Sequence, residues 1–461
     1  MKLPAYPRYK PSGVEWLGDV PEHWEVWKHA HLFRSSMGQT ILKEDVSDSG
    51  AIPVLSATEK YEIFGYLDSA SVLLDQGDLV IPARGNSIGH VKLVRERCTT
   101  TQTTIYSKHL TKKAAPSYAF YFLFGHRNTL FQFDRTAIPQ LTVNQVSTNC
   151  FLLPPLAEQQ AIAAFLDRET GRVDRLVAKK RELIERLKEK RTALVSRTVT
   201  RGLPPAAARA AGLLSNPPLK PSTLDWLGDI PNHWEVMRLR RVVRRIEQGW
   251  SPECSNAIAS LDEWGVVKAG CCNGGQFNPN ENKALPLDLD PPHSLEIKAD
   301  DLLMSRASGS EDLIGSVALV PSGTRGQLLL SDKTYRLQCD GAVAVPAFLA
   351  RVLQSPIGRS QIQAVISGAL GLAKNIAQSD VRDFVLAIPP LPEQAAIAAY
   401  LDMETARLDA LVGKVAEAVE RLQEYRAALI TAAVTGKIDA RSSMQSRIVK
   451  EPSKPVASAI A

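Results

Sequence analysis

The side chains best suited to recognition chemistry in this 461-residue chain collect in two stretches. The first holds Arg84, Asn86, Ser87, Lys92, Arg95 and Arg97, then Thr101 and Gln102 within a Thr/Gln run, then Gln140, Thr142 and Asn144. The second holds Arg306, Ser308, Ser310, Lys333, Arg336, Lys374 and Asn375. Arg, Lys, Asn and Gln pair in two-pronged fashion with guanine or adenine edges, and Ser, Thr and Lys are common phosphate contacts. Taken singly each is an ordinary surface residue type; as two sets on turn-rich stretches they are a candidate DNA-contact surface.

Catalytic groupings are weaker. Asn216-Pro217-Pro218-Leu219 is similar to the Asn-Pro-Pro-aromatic motif of adenine methyltransferases, but leucine replaces the stacking ring and no Gly-rich cofactor loop precedes it. Asp290 with Glu296, Ile297 and Lys298 faintly matches the acidic pair and lysine of magnesium nucleases, with Pro291 and Pro292 breaking the strand setting such a site needs. No GxxxxGK[ST] phosphate loop is present. The six cysteines show neither zinc spacing nor the density of a disulfide scaffold. The expectation is a chain with no catalytic residues, no metal and no cofactor.

Whatever these stretches do, a duplicated framework positions them. Pro154 to Thr200 returns as Pro389 to Thr435 at a constant offset of 235, with 28 of 47 positions identical. Apolar residues in the second copy (Leu408, Leu411, Val415, Ala418, Leu422, Tyr425, Leu429) alternate steps of three and four, which predicts the seam of a helix packed along another helix. The first copy reads Val173, Leu176, Lys180, Leu183, Leu187, Lys190 and Leu194, with Val177 and Ile184, and Val412 and Val419 in the second copy, widening the stripe. Each helix is announced by Pro-Pro-Leu and a Glu-Gln pair, prolines and an acid being suited to a first turn. A rod of roughly 60 Å at about 1.5 Å per residue has more apolar face than it can bury alone, so the two copies should cover each other, most simply antiparallel.

A shorter repeat opens each half: residues 10–26 (KPSGVEWLGDVPEHWEV) return as 220–236 (KPSTLDWLGDIPNHWEV). Trp16, Trp24, Trp226 and Trp234 in these blocks are expected as buried anchors rather than base-stacking platforms, and His23 and His233 as structural. Between block and helix lie inserts that hardly align, both rich in short β-like runs. The reading is α+β, a pseudo-two-fold internal repeat. Its expected pieces are block and insert over 1–151, a long helix over 152–200, an Ala/Pro-rich linker over 201–219, a second block and insert over 220–386, a second long helix over 387–436 and a frayed tail over 437–461.

The formal net charge of +6 is mild, but Arg168 to Arg201 carries 12 Lys/Arg against 5 Asp/Glu, whereas Met403 to Gly436 carries 4 against 5. One helix is basic and its twin is not. No stretch approaches the ~20 apolar residues of a membrane span, and the first residues lack a signal peptide's apolar core, so a cytoplasmic protein is expected.

The order of these parts resembles the specificity subunit of type I restriction-modification enzymes: a Trp-Leu-Gly-Asp-x-Pro-x-His-Trp block, a variable domain, then Pro-Pro-Leu-x-Glu-Gln leading into Ala-Ile-Ala-Ala-x-Leu-Asp and a long helix, all twice. The resemblance implies two mixed α/β target recognition domains, each reading one half of a split double-stranded DNA site, separated by two long antiparallel conserved helices. It implies two methyltransferase subunits and restriction motor-nuclease subunits as partners. Carried onto this sequence, the docking determinants fall on Glu158, Gln159, Ile162, Leu166 and Asp167, and on Glu393, Gln394, Ile397, Leu401 and Asp402. Two other readings stand beside it: a coiled-coil scaffold that never touches nucleic acid, and an enzyme acting through Asn216 or Asp290. Under the favoured reading, four residues inserted into the rods, about 6 Å, lengthen the unread spacer by one or two base pairs at about 3.4 Å each.

Overall fold

The computed structural model describes residues 4–132, 140–366 and 374–441. By its internal contacts the chain divides into two units, Met1–Arg181 with Ala416–Ala461, and Glu182–Val415. The two long helices run over Leu156–Arg201 and Leu391–Val434, 46 and 44 residues. Glu158 and Glu393 sit in their first turns, where an acid complements the helix dipole. Gly202 and Gly436, at φ +81° and +71°, stop them in a backbone conformation that costs glycine little.

The helices pack on each other. In the first unit Val173 and Val177 meet Val419 and Leu422, and Arg426 reaches Asp174 at 2.9 Å. In the second unit Arg191 reaches Asp409 at 3.0 Å. These ion pairs are related by the 235-residue repeat, and numbers that rise along one helix fall along the other, as antiparallel packing requires. The seam is shifted from the expected one. Leu176, Leu183, Leu411 and Tyr425 are exposed, while Val177, Ile184, Val412 and Val419 turn inward. Of the expected seam, positions 176, 183, 411 and 425 thus face solvent, and the contact runs along 177, 184, 412 and 419 of the wider stripe.

Although the inserts hardly align, they fold alike. The first unit holds a sheet ordered Phe33–Met37, Thr104–His109, Leu79–Pro82, Lys92–Leu93; the second, Val243–Gln248, Thr334–Cys339, Leu302–Ser305, Val317–Leu319. Each also has a three-stranded sheet with one parallel pair, Val54 opposite Thr99 in one and Gly265 opposite Leu328 in the other. In both blocks the strand that follows the second tryptophan pairs with the strand entering the long helix: Glu25–Lys28 with Cys150–Leu153, and Glu235–Arg238 with Val385–Ile388.

Trp24 and Trp234 are fully buried in the two main cores, as expected of anchors. Trp16 and Trp226 are exposed, which corrects the expectation for them. The Ala/Pro-rich stretch is not a free linker: it forms a short helix, Pro205–Ala210, and buries Leu203 and Ala208 in the second unit's core. Residues 437–441 likewise depart from a frayed tail, since Ala440 is buried and the Asp439 amide donates to Pro4 O at 2.8 Å. The rest of that tail, 442–461, lies outside the described residues. Among the described residues no helix is long and apolar enough to cross a membrane.

Candidate nucleic-acid interface

Three loops meet in each unit, and the same backbone bonds join them. In the first, Thr101–Thr104 close a turn (Thr104 N–H to Thr101 O, 3.0 Å), Thr103 O accepts from Ala83 N–H at 2.9 Å, and Arg84 bridges to Gln140. In the second, Ser331–Thr334 close the matching turn (3.1 Å), Lys333 O accepts from Arg306 N–H at 2.7 Å, and Ala307 and Ser308 pair with Asn375 and Lys374. Beside each turn a glycine lets two backbones touch: a Cβ on Gly38 would collide with Thr101 O, and one on Gly249 with Leu330 O. Threonine hydroxyls tighten both turns, Thr100 to Thr104 at 2.6 Å and Thr334 to Ser331 at 3.2 Å.

The fold thus gathers Arg84, Thr101, Gln102 and Gln140 in one unit and Arg306, Ser308, Lys333, Lys374 and Asn375 in the other. Exposed Asn86 and half-buried Ser87 continue the Arg84 loop, and exposed Ser310 extends the Ser308 loop. Thr142 caps the short helix Val143–Thr148 on which exposed Asn144 sits. Several of these groups are already engaged. Thr101 is buried with its hydroxyl on Thr103, Gln102 Oε1 accepts from Ile41 N–H at 3.0 Å, and Lys374 pairs with Glu311.

Two expectations are corrected by burial. Lys92 is 3% exposed and donates to Ser56 O; burial pulls its ammonium down to about 8, so it is an interior peg rather than a phosphate contact. Arg336 is 6% exposed. Burial works against its charge, but Glu247 and Asp301, the latter at 3.1 Å, more than offset that and hold it in the core. Arg95, over the Tyr61 ring, and Arg97, 3.8 Å from Asp75, lie outside the loop cluster.

Reading the sequence missed Trp250, Lys268 and Lys283. With Ser308 and Lys333 they line a cleft of about 400 Å³ in the second unit. The corresponding place in the first unit carries Gln39, whose Oε1 accepts from Ser71 and the Val72 amide, both at 2.8 Å. The signal was the Gly-x pair that directly follows the first strand of each four-stranded sheet, Gly38-Gln39 and Gly249-Trp250.

The Glu-Gln pairs form joints instead of open faces. Gln159 accepts from Ala115 N–H (2.7 Å) and donates to Lys113 O (2.8 Å) and Pro154 O (2.7 Å). Gln394 repeats this with Val345 N–H, Val343 O and Pro389 O, each at 2.8 Å. Glu158 accepts from Tyr6 (2.5 Å) and Trp24 (3.1 Å) and meets His23 at 2.8 Å; Glu393 meets His233 at 2.7 Å. Ile162, Leu166, Ile397 and Leu401 are fully buried beneath them, so their side chains present nothing to a partner. Asp167 and Asp402 are exposed but occupied, by Tyr121 at 2.7 Å and Arg351 at 2.8 Å.

Neither alternative chemical site is assembled. Leu219 pairs with Pro231 in a two-stranded ribbon, with Asn216 exposed beside it. Among the described residues no group of three His, Cys, Asp or Glu could hold a metal, and Glu296 accepts from the Gln327 amide at 3.3 Å.

Residues 21–186 match the family model for the type I restriction modification DNA specificity domain. Two specificity subunits of type I restriction enzymes from Escherichia coli are similar in sequence. That of EcoEI is 28% identical over 175 residues, 38% of this chain and 29% of the relative. That of EcoKI, from strain K12, is 22% identical over 291 residues, 63% of this chain and 58% of the relative. The chain thus spans less than two thirds of the length of either. A chain solved in a study of complex assembly and conformational transition of the type I R-M system shares the fold, with a TM-score of 0.65 and 16% identity over 90% of this chain and 98% of that one.

Proposed function

We propose that the chain is a specificity subunit of the type I restriction-modification family, reading DNA for such a complex and catalysing nothing itself. The domains over 1–151 and 220–386 each read one half of a bipartite double-stranded site in the cytoplasm, and the helices over 152–200 and 387–436 set the distance between the halves. The observation that carries this reading is the pair of matched loop clusters. Two inserts of dissimilar sequence keep one strand order and bring donors to the same three loops, which is what two readers of different half-sites need.

Two copies of a methyltransferase dock on features that occur twice. Leu176 and Leu411, exposed at equivalent repeat positions, with Asp167 and Asp402 near the helix starts, supply such a duplicated surface. Glu158, Gln159, Ile162 and Leu166, with Glu393, Gln394, Ile397 and Leu401, serve docking indirectly by fixing each helix to its block. A motor-nuclease subunit completes the restriction enzyme.

Mapping methylated bases across the genome of cells carrying this chain and its methyltransferase tests the reading. The expected result is a motif of two specified halves at a fixed unspecified spacing, with one half alone changing when residues 27–151 are exchanged for those of a relative. A contiguous motif, or methylation indifferent to this chain, contradicts it. If the assembled complex also fails to hold DNA in a salt-dependent way, the scaffold reading is favoured instead.

A further inference from the structure

The first long helix carries Arg168, Arg172, Arg175, Lys179, Arg186, Lys190 and Arg197 in steps of 4, 3, 4, 7, 4 and 7 residues. At 3.6 residues per turn these fall within about 60° of one another, a single line along the helix. All but Arg168 are exposed, and Arg168 lies against Glu169 and Phe165. Arg186 has Glu182 at 2.6 Å and Arg172 has Glu169 at 4.0 Å, both weak surface pairs within the helix. Arg175, Lys179, Lys190 and Arg197 make no ion pair among the described residues. The same seven positions of the second helix are Met403, Arg407, Ala410, Lys414, Arg421, Tyr425 and Ala432, so only three of its seven are cationic.

We propose that this cationic line lies against the sugar–phosphate backbone of the unread DNA between the two half-sites. The inference rests on the DNA-reading function proposed above and adds to it a contact that carries affinity without sequence information. Two lines of reasoning favour DNA as the occupant. A partner present in two copies can use only features that both helices carry, and the surplus cations are carried by one. The unread spacer is present once in the complex and is a polyanion. Steps of 3, 4 and 7 residues also place charges about 5, 6 and 10 Å apart along the axis, on the scale of two or three phosphate steps of about 3.4 Å. Lys and Arg so placed release counterions on binding and make affinity fall steeply with salt.

The test replaces three of the surplus cations together, Arg175→Ala, Lys190→Ala and Arg197→Ala, in the full chain assembled with its methyltransferase. All three positions are exposed on a helix, where alanine costs nothing in propensity. Binding to the cognate site is measured across a salt series. The expected result is a slope of log affinity against log salt that is shallower by about 2 to 3, at ~0.9 per phosphate contact, with the recognised half-sites and subunit stoichiometry unchanged. The matched triple on the second helix, Arg407→Ala, Lys414→Ala and Arg421→Ala, should leave the slope as it was. An unaltered slope in the first variant, an equal change in both, or loss of the methyltransferase from the first variant overturns the inference while leaving the proposed function standing. Absence of sequence-specific binding by the unaltered complex overturns both.

Discussion

Glu158 and Glu393 occupy the same place in two copies of one joint, yet their surroundings differ. Glu158 accepts from Tyr6 and Trp24, touches His23 and has Arg441 at 3.8 Å, with the Arg441 guanidinium in turn 5.0 Å from the Tyr6 ring centre. Burial, then the bond to Glu158, pushes the Tyr6 phenol above its ordinary range. Glu393 has His233, while the buried Trp234 indole N–H finds no partner among the described residues. Chain connectivity accounts for the difference. In the second unit the end of the first helix runs through Gly202 and the short helix directly into block 2, so the parts are tethered. In the first unit the end of the second helix meets block 1 with no peptide link, and side chains must hold it: Tyr9 to Gly436 O at 2.9 Å, Asp439 to Pro4 O, and Arg441 over Tyr6. Tethering raises the effective concentration of a contact, and an untethered joint needs more bonds to reach the same occupancy.

The largest effect should be symmetric. Gln159→Ala and Gln394→Ala each remove three hydrogen bonds of a buried amide and should each cost about 3 kcal/mol by denaturation, read unit by unit through hydrogen exchange. A markedly unequal pair would break the equivalence of the joints. Next comes an acid effect confined to the first unit. His29 is fully buried where the second unit has Leu239, and burial, with His109 adding to it, draws its imidazole from 6.5 down to about 3. Between those values the unfolded chain binds a proton that the folded unit refuses, so stability falls as pH drops through that window. By pH 5 the loss is about 2 kcal/mol, and His29→Leu should abolish it. Acid sensitivity unchanged in that variant would exclude His29 as its source.

Smaller still is the contrast at the acid itself. Glu158→Gln should cost about 1.5 kcal/mol and Glu393→Gln under about 1, since the first loses charge-assisted bonds to more partners. Equal costs in thermal melts would remove the tethering argument. The effect that rests on a single bond is at the indoles: Trp24→Phe loses a bond to Glu158 worth about 1 kcal/mol, whereas Trp234→Phe sheds an unsatisfied donor and should be close to neutral in that respect.

The repeat, both long helices and their pairing were legible because identity at a fixed offset and a three-four apolar rhythm survive without any knowledge of neighbours. The seam's rotation was not. Leu176 beside Val177, and Leu183 beside Ile184, offer two apolar lines one residue apart, and only the partner helix chooses between them. The common fold of the inserts was hidden for a related reason: burial and register define those strands, and many apolar sequences satisfy one register. Among the donors, Arg84 and Gln140 were found by residue type, and the fold brings them together. Residue type also misled, since Lys92 and Arg336 look like surface cations until Ser56 O and Glu247, each more than 30 residues away, are folded against them. Trp250 passed unnoticed because an aromatic beside glycine reads as core until the turn at Ser331–Thr334 leaves it lining a cleft.

Under the proposed function the two long helices act as a spacer between independent readers. Four residues inserted in each, after Arg181 and after Ala416, with methylation mapped in cells expressing the altered chain, test that most directly. The account predicts both half-sites unchanged and the unspecified gap longer by one or two base pairs, at about 3.4 Å each. The original motif with its original gap would contradict it.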